Sequence, residues 1–485
     1  MIGSENVEDL ILALDFGTTH WKAALFTCSG QMTAIERIRS PEVVISGYPC
    51  YRAEDLPEHL ADLIDGLGRD RLKNVKAIAI TGMAESGGLV RKADQCPITE
   101  IRPWFDHRSV PVFDKWRHES VFRNRQYVTG LPDSYKYSVY KLLAFQEEGL
   151  SLDGCWLLGV AEQACMVLTG TPATDETLAA RSGAFNIFRR IWDIQFINAL
   201  DLPMDVFPLV LSPGMAANKT SGNAFGLPAG IPVCICGHDH VCAAYGADAL
   251  AEGQVLLSMG TAQVMITGQK SVSPEAISTG LSYGPLPNGQ GYTCLGSIQS
   301  AGGSLNYWKK LLFPGEDYAA LMAAAEQADL PTDLTWLPYL NGSGAPHIQP
   351  EARAALSGLS ENTGRSDVIA AVYEGIAMES RFVLERMGRP RPLTCLGGLT
   401  RHDRLISILA SVANSDVILP IHDEGTLYGA ARMAVHHALA WNDFPALNPG
   451  RIVYPDPVLV MKYEQKYRQD YLSMMQAVLE GVSEE

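Results

Sequence analysis

The strongest constraint on the fold of this chain is a weak repeat at half its length. An apolar run at Leu10–Leu14 leads into Asp15-Phe16-Gly17-Thr18-Thr19, and Val255–Met259 leads in the same way into Gly260-Thr261. From residue 17 to residue 260 the interval is 243 positions, in a chain of 485 residues. Two structurally related domains leave such a repeat in one sequence. We therefore predict two related domains with a boundary near residues 245–252.

The segments around the first turn indicate an α/β domain. Strands are predicted at Lys22–Thr27 and Met32–Ile38, a helix at Asp55–Leu67, and a further strand at Val75–Thr81. This order favours a mixed sheet flanked by helices. The later elements are predicted as strands Ile231–Cys236, Ala262–Thr267, Leu393–Leu396 and Val417–Leu419, and helices Val139–Glu147, Val160–Leu168, Val241–Leu250, Asp367–Arg386, Asp403–Ala413, Thr426–Ala440 and Val460–Leu479.

Composition narrows the class of protein. With 38 Lys and Arg against 54 Asp and Glu, the net charge is −16, so the chain lacks the basic surface of a nucleic-acid binder. Small anionic ligands are not excluded, because backbone amides and a metal ion bind phosphate inside acidic proteins. The ten cysteines show no paired CxxC spacing, which favours reduced thiols and a cytoplasmic protein. No signal peptide or apolar run of transmembrane length is found, so no membrane partner is expected.

The turn at Asp15-Phe16-Gly17-Thr18-Thr19 suits phosphate binding. Gly17 allows close backbone approach, and the amides and hydroxyls of Thr18 and Thr19 can bond phosphate oxygens. Asp15 can hold Mg²⁺ directly or through water. The alternative is an ordinary hairpin in which Asp15 caps the turn. The matching Gly260-Thr261 turn favours function, because two such turns can hold a nucleotide from both sides of a cleft.

Asp239 is the candidate catalytic residue. It follows the predicted strand Ile231–Cys236, and the carboxyl end of a strand in an α/β fold is where a general base belongs. The alternative is a helix N-cap. A metal site formed by His238-Asp239-His240 is disfavoured, because Cys236 is the one further donor nearby.

A polyol pocket is predicted from two polar segments of the first half. Glu85-Ser86 follows a strand, and Trp104, Asp106 and Arg108 combine an aromatic ring with an acid and a base. Carboxylates and a guanidinium can bond hydroxyls while the indole covers the carbon skeleton. The alternative for each segment is a loop with a surface salt bridge. Two carboxylates would repel an acidic substrate unless Arg108 and Lys22 outweigh them, so a neutral ketose or polyol of about four to six carbons is expected.

In order, these segments resemble the FGGY carbohydrate kinases of the actin–hexokinase superfamily, from about residue 10 to residue 440. Some positions depart from the common pattern: His20 and Lys22 stand where many members have Ser and Arg, and Asp239 has an unusual Gly-His-Asp-His setting. Glu85-Ser86 stands where subfamilies carry their own sugar-binding residues, so the resemblance does not specify the sugar. The matching segments are Asp15-Phe16-Gly17-Thr18-Thr19, Trp104-x-Asp106-x-Arg108, Thr174-Asp175 to Trp192-Asp193, Asp239, Gly260-Thr261, Pro338-Tyr339-Leu340 with Gly344-x-Pro346, Ala352-Arg353 to Gly358-Leu359, Gly397-Gly398 and Gly429-Ala430-Ala431.

The resemblance implies two ribonuclease H-like domains with the active site in the cleft between them. Residues 1–248 would bind the sugar and supply the base, residues 249–445 would bind the nucleotide, and residues 446–485 would form a helical extension. Gly397 and Gly398 fall on the family's adenosine region, although alone they are a common strand-to-helix turn.

The implied reaction is transfer of the γ-phosphoryl group of ATP to a sugar hydroxyl, with Asp239 as base and Mg²⁺ near Asp15 and Asp239. A non-transferring actin-like ATPase is disfavoured by the predicted sugar pocket, and an inactive sugar-binding regulator is disfavoured by Asp239. The sequence is compatible with a homodimer but does not specify an oligomeric state.

Overall fold

The computed structural model describes residues 9–222, 224–287, 289–441 and 443–483, and they form two compact units. The first unit contains the chain through Asp248, together with Tyr283–Tyr292 and Glu424–Leu447. The second contains Ala249–Ser282, Thr293–Asp423 and the chain from Asn448 onward. Two segments of the second half therefore belong to the first unit, which no local sequence pattern indicates.

The first unit is built on a six-stranded mixed sheet with the spatial order β5-β6-β4-β1-β2-β3. Strand β4 lies between β6 and β1 and is parallel to both, whereas β2 is antiparallel to β1 and to β3. The strands are β1 Leu10–Phe16, β2 His20–Thr27, β3 Met32–Arg39, β4 Val75–Gly82, β5 Ala216–Lys219 and β6 Pro232–His238.

The second sheet has seven strands in the order β9-β10-β8-β7-β11-β12-β13. Strand β11 is parallel to β7 and to β12, and the hairpin partner β8 is antiparallel to β7. The α/β class with two mixed sheets is therefore confirmed. The strands are β7 Val255–Met259, β8 Gln263–Gln269, β9 Ser282–Pro285, β10 Tyr292–Ile298, β11 Leu393–Leu396, β12 Val417–Pro420 and β13 Pro449–Val453.

The longer helices are α1 Leu56–Asp65, α2 Ser138–Glu147, α3 Val160–Thr169, α4 Asp239–Gly246, α5 Ala301–Leu312, α6 Tyr318–Ala325, α7 Arg365–Arg386, α8 Asp403–Ala413, α9 Gly425–Ala438, α10 Pro457–Lys466 and α11 Leu472–Ser483. Most of them begin and end close to the residues predicted from hydrophobic spacing. Helices α5 and α6 were not predicted, and the single helix predicted near Val460–Leu479 corresponds to α10 and α11. Shorter helices span Arg69–Leu72, Val110–Trp116, Gln126–Thr129, Glu176–Ala179, Ile194–Ala199 and Pro274–Ile277. Short strands outside the two sheets are Glu42–Ile45, Tyr48–Tyr51, Gly88–Arg91, Cys155–Leu158, Ala173–Asp175, Phe185–Asn186, Ile191–Trp192, Leu209–Leu211, Thr335–Leu337 and Ala355–Ser357.

The apolar pattern explains why the first sheet forms. Every residue of β1 is buried, as expected for a strand with neighbours on both edges and cover on both faces. Helix α1 begins with Pro57 in its first turn and turns Leu56, Leu60, Leu63 and Ile64 into the same core. Among the described residues, no helix combines the length and apolarity needed to cross a bilayer.

The C-terminal segment is more than a helical extension, because it completes the core of the second unit. Strand β13 pairs with β12, although its short run between prolines carries no clear strand pattern. Beyond it, α10 packs against α8, and two of its side chains, Tyr463 and Lys466, bond to the buried carboxylate of Glu374 on α7. Lys466 Nζ lies 2.6 Å from Glu374 Oε2 and also donates to the carbonyls of Thr332 and Leu334, each at 2.6 Å. The pair is almost fully buried, so each charge depends on the other.

We expect Lys466→Met to lower the free energy of unfolding of the second unit by about 3–5 kcal/mol, because it leaves the buried Glu374 carboxylate without its cationic partner, with only the hydrogen bonds from Thr332 and Tyr463. Urea denaturation followed by circular dichroism measures the change. Lys462→Met is the matched control, since Lys462 is exposed on the same helix and should shift stability by less than about 0.5 kcal/mol. Equal stability of the two variants would contradict the structural role of Lys466.

Candidate active site

The strand register of the first unit brings three predicted site segments to one edge of the sheet. Asp15 pairs with Thr81, and Gly237 pairs with the same threonine from the other side. Since β1, β4 and β6 run parallel, their carboxyl ends finish together. Asp15 ends β1, the segment leading to Glu85 follows β4, and Asp239 follows β6. Residues more than 200 positions apart therefore lie at one site.

Asp15 is a buried carboxylate with an open coordination position. Its side chain is 6% exposed, and no described residue bonds its Oδ1 atom. Burial raises the pKa of Asp15 to about 7, opposed by the charge of Lys22 and reinforced by Asp239 and Glu424. A divalent cation would reverse this destabilisation by supplying the missing positive charge. The oxygen donors Asp15 and Asp239 fit Mg²⁺, which prefers one or two carboxylates and keeps several waters.

Lys22, which departs from the common family residue, does not neutralise Asp15 by direct pairing. Its Nζ atom donates to Glu424 Oε2 at 2.8 Å, and Arg37 pairs with the other oxygen of Glu424 at 2.9 Å. Glu424 directly precedes α9, within the first unit. Its partners lie about 400 positions away along the chain, so no local sequence pattern indicates these pairs.

Asp239 occupies the first position of α4 and keeps a reachable side chain, 21% exposed. Its Oδ1 atom accepts a hydrogen bond from the backbone amide of His240 at 2.6 Å and lies 3.2 Å from Nε2 of His238. Burial holds the pKa of His238 well below its usual range, so this imidazole is neutral near pH 7. The ring can therefore donate to Asp239 and orient it without adding a positive charge. The ligand atoms of His238, Asp239 and His240 lie within 4.8 Å of one another.

A buried network holds the end of β6 in place. Thr177 Oγ1 accepts the backbone amide of His238 at 2.9 Å and donates to Asp175. Gly237 has φ +102°, and a Cβ atom there would lie 2.1 Å from Thr177 Oγ1. Only glycine fits this position, because both its backbone angle and its neighbour exclude a side chain. Asp175 belonged to a predicted family segment, whereas the contribution of Thr177 was missed.

Glu85 lies at the site edge in the left-handed region, with φ +57°. Arg181 donates to its Oε1 atom through Nε at 2.8 Å and through Nη2 at 2.5 Å. Among the described residues no bond is seen to Oε2, which leaves that oxygen for a ligand. Arg181 was not predicted, since it lies 96 positions along the chain. Ser86 is buried, and its hydroxyl oxygen accepts a hydrogen bond from the amide of Val160 at 3.4 Å. This bond links the segment around Glu85 to the start of α3.

The Trp104 loop contacts the first phosphate turn. Trp104 Nε1 donates to Thr18 Oγ1 at 3.0 Å, which leaves the hydroxyl hydrogen of Thr18 free to donate elsewhere. Gly17 and Thr18 are half-buried, and Thr19 is exposed. The predicted sugar loop and the predicted phosphate turn therefore belong to one site.

Asp106 and Arg108 bond to each other within this loop. The Asp106 side chain is 0% exposed, and both of its oxygens accept bonds from Arg108. The Arg108 guanidinium also pairs with Glu100. Asp106 caps the short helical turn at His107–Ser109. A direct sugar contact from Asp106 therefore has no support in this conformation, because its hydrogen-bonding capacity is already used.

In the second unit, the residues that are predicted to bind the nucleotide lie together at the carboxyl ends of two parallel strands. Ser258 of β7 pairs with Leu396 of β11, so the turn at Gly260 and Thr261 lies beside Gly397. Gly397 has φ +106°, and a Cβ atom would lie 2.7 Å from the carbonyl oxygen of Met259. Gly398 follows with open space around it, while Gly260 and Thr261 are both exposed.

The start of α5 also belongs to this part of the second unit. The amides of Gly302 and Gly303 donate to the carbonyls of Gly260 and Thr261 at 3.1 Å and 3.0 Å. A Cβ atom on Gly302 would lie 2.6 Å from the carbonyl oxygen of Gly260, so the helix can come this close to the turn only with glycine at position 302. Sequence analysis missed this pair, although Ser300-Ala301-Gly302-Gly303 after an apolar strand was an available signal.

Known proteins share both the sequence pattern and the fold of this chain. It is 28% identical to a glycerol kinase of Cereibacter sphaeroides over 451 residues, covering 87% of this chain and 90% of the relative. A xylulose kinase structure from Lactobacillus acidophilus superposes with a TM-score of 0.89 at 20% identity, covering 97% of this chain and 98% of that one. Plasmodium falciparum glycerol kinase with ADP gives 0.87 at 20% identity, covering 97% and 98%.

Family models extend this similarity along both halves. Residues 10–246 match the N-terminal domain of the FGGY family of carbohydrate kinases, and residues 255–438 match its C-terminal domain. The geometry at both sheet edges and these matches lead to one conclusion: the chain belongs to the FGGY family of carbohydrate kinases.

Proposed function

We propose that this chain transfers the γ-phosphoryl group of ATP to a hydroxyl of a small sugar or polyol, with Asp239 as general base. The observation that carries the proposal is the placement of Asp239 beside Asp15 at the carboxyl edge of the first sheet. Asp239 is partly exposed and Asp15 has an unsatisfied oxygen. One carboxylate is thus available to accept a proton and the other to hold a cation.

Asp239 would accept the proton of the attacking hydroxyl. Neutral His238 and the amide of His240 hold its Oδ1 atom, so the other oxygen, Oδ2, is the one to face the acceptor. A base held in one orientation lowers the entropic cost of reaching the reactive geometry. Phosphoryl transfer depends mainly on such positioning and on electrostatic stabilisation. Proton transfer to a positioned carboxylate contributes roughly 10²–10⁴-fold in rate.

Mg²⁺ fits the oxygen of Asp15 that lacks a partner, with Asp239 as the second carboxylate. When bound there, it would supply positive charge to the transferring phosphoryl group. The turn amides of Thr18, Thr19 and Thr261 would bind phosphate oxygens, whereas the Gly260 amide already donates to the carbonyl of Ala262 at 3.0 Å. We propose that the two turns act on one nucleotide across a cleft between residues 1–248 and 249–445, with residues 446–485 as a C-terminal extension.

The sugar would lie against Glu85 and Trp104. Glu85 Oε2 can accept a hydroxyl hydrogen while Oε1 remains paired with Arg181. Trp104 offers an apolar face for the carbon skeleton, and its bond to Thr18 fixes the distance from sugar to phosphate turn. A non-transferring ATPase would not require this pocket, and an inactive sugar-binding protein would not require the Asp15–Asp239 pair.

The first prediction concerns the base. Asp239→Asn should lower kcat by roughly 10²–10⁴-fold, because the amide cannot accept the proton, while calorimetry should show ATP and sugar binding within a few-fold of wild type. Asp201→Asn is the control, since Asp201 is exposed and asparagine tolerates its left-handed backbone. A kcat within a few-fold of wild type at saturating substrates would disprove the assignment of Asp239.

The second prediction concerns the nucleotide. Gly260→Val should weaken ATP affinity at least about tenfold, because the added methyl groups block phosphate approach to the turn amides. The protein should still fold, since a Cβ atom at Gly260 meets only Ala262 O, at 3.4 Å. Isothermal titration with ATP and then with sugar separates the two sites. The control is Gly364→Val, which adds the same side chain at an exposed helix start and should leave ATP affinity unchanged. Equal ATP affinity in both variants would exclude the turn from the nucleotide site.

The third prediction concerns the sugar. Glu85→Gln keeps an oxygen for Arg181 but replaces the free acceptor Oε2 with a donor, so KM for the sugar should rise roughly tenfold and the ranking of epimers should change. ATP affinity should stay constant. The control is Glu119→Gln, at an exposed site. An unchanged epimer ranking in a substrate screen would remove Glu85 from the pocket.

A further inference from the structure

The structure removes the reason to expect a neutral acceptor. That expectation assumed that the carboxylates of Glu85 and Asp106 would repel an acidic substrate. Glu85 is paired with Arg181, and Asp106 is fully enclosed by its bonds to Arg108. Both negative charges are therefore compensated by guanidinium groups. Repulsion by these two carboxylates no longer argues against an acidic substrate.

The same region contains two further cations. Lys136 and Lys141 both lie close enough to Glu85 for its charge to raise their pKa values, although burial is the larger influence and lowers both. Lys141 is fully buried and donates to the carbonyl of Lys136 at 2.8 Å. The two lysines therefore add positive charge to a region in which Glu85 and Asp106 are already paired with Arg181 and Arg108.

Lys136 is the lysine that a ligand can reach. Its side chain is half-buried, and Nζ lies 4.8 Å from the centre of the Trp104 ring. Within the described residues, Nζ has no hydrogen-bond or ion-pair partner. The ring that is proposed to cover the sugar skeleton thus carries an uncompensated ammonium group on its face. A partly buried ammonium gains most from an anionic partner, because hydroxyl dipoles replace only part of its lost hydration.

We propose that the acceptor is a sugar acid, whose carboxylate binds Lys136 beside Trp104 while its hydroxyls bind Glu85 and Asp239. This inference rests on the proposed phosphoryl transfer and specifies its substrate class. A singly charged carboxylate matches one ammonium. A phosphate dianion is a poorer fit, because the single ammonium of Lys136 compensates only one of its two negative charges.

The simpler interpretation is that Lys136 only packs on Trp104, as lysine stems often cover apolar surface. That role would make its loss affect all substrates equally or reduce stability. A salt bridge to the substrate would affect acids selectively. Matched pairs of acceptors with the same carbon skeleton therefore distinguish the two roles.

The test measures kcat/KM for ADP formation with gluconate and glucitol, xylonate and xylitol, and glycerate and glycerol, and includes sugar phosphates of the same carbon number. We expect the wild type to prefer acids at least tenfold within its best pair. Lys136→Met should reduce kcat/KM for acids about 10–100-fold through KM and change neutral partners less than about twofold. Lys136→Arg should retain the acid preference. Lys219→Met, at an exposed strand end, is the control, and thermal unfolding confirms that each variant is folded.

Each outcome has a distinct meaning. Preference for a neutral polyol, equal losses on acids and polyols in Lys136→Met, or preference for a sugar phosphate would overturn the acid assignment while leaving the kinase proposal intact. If no acceptor increases ADP formation, calorimetric titration with the three acids decides. Binding that Lys136→Met abolishes would support the acid site and overturn the proposed transfer, whereas absence of binding would overturn both.

Discussion

The parallel pairing of β1, β4 and β6 is the constraint on which the candidate active site depends. These strands come from distant parts of the first half, and their register places Asp15, Glu85 and Asp239 at one edge. Parallel strands are buried on both faces, so this edge is the place where polar groups can project from the core without burying unpaired backbone. The antiparallel hairpin of β1 and β2 then presents the phosphate turn beside the same edge. A shift in register would move each carboxylate to the opposite face of the sheet.

Charge pairing is the second organising influence. Most acidic groups near the edge have a defined cationic partner: Glu85 has Arg181, Asp106 has Arg108, and Glu424 has Lys22 and Arg37. Two charged groups in this region lack such a partner, and the functional proposals depend on them. Asp15 has an oxygen without a partner, which suits a cation, and Lys136 has an ammonium without one, which suits an anion. An unpaired charge away from water is costly in a folded protein, which is why these two groups carry the proposals made for a cation and an anionic acceptor.

Sequence patterns predicted the regular elements well because their signals are local. Helix α1 follows from leucines at helical spacing, and α7 matches its predicted range Asp367–Arg386 within two residues at its start. Strand β13 was missed, because it is short, lies between prolines and forms through its pairing with β12. Individual site positions followed from strand ends and glycine turns, as with Asp239 and Gly397. The contacts of Arg181 with Glu85, Thr177 with His238 and Lys136 with Trp104 could not be found this way. No periodicity links residues about 30 to 100 positions apart.

By itself, the sequence determined the α/β class, the two related halves and the family, because these properties reside in hydrophobic period, turn residues and ordered motifs. Only the tertiary structure decided which polar residues are free to act. Asp106 and Glu85 look equivalent as acidic residues in a sequence, yet one is enclosed by Arg108 and the other retains an open oxygen. Likewise, Lys136 becomes a candidate ligand-binding residue only in the fold. There its ammonium lies over the ring of Trp104 and pairs with no carboxylate of the described residues. Burial and pairing depend on distances across the fold, and these distances set the charge that a substrate meets.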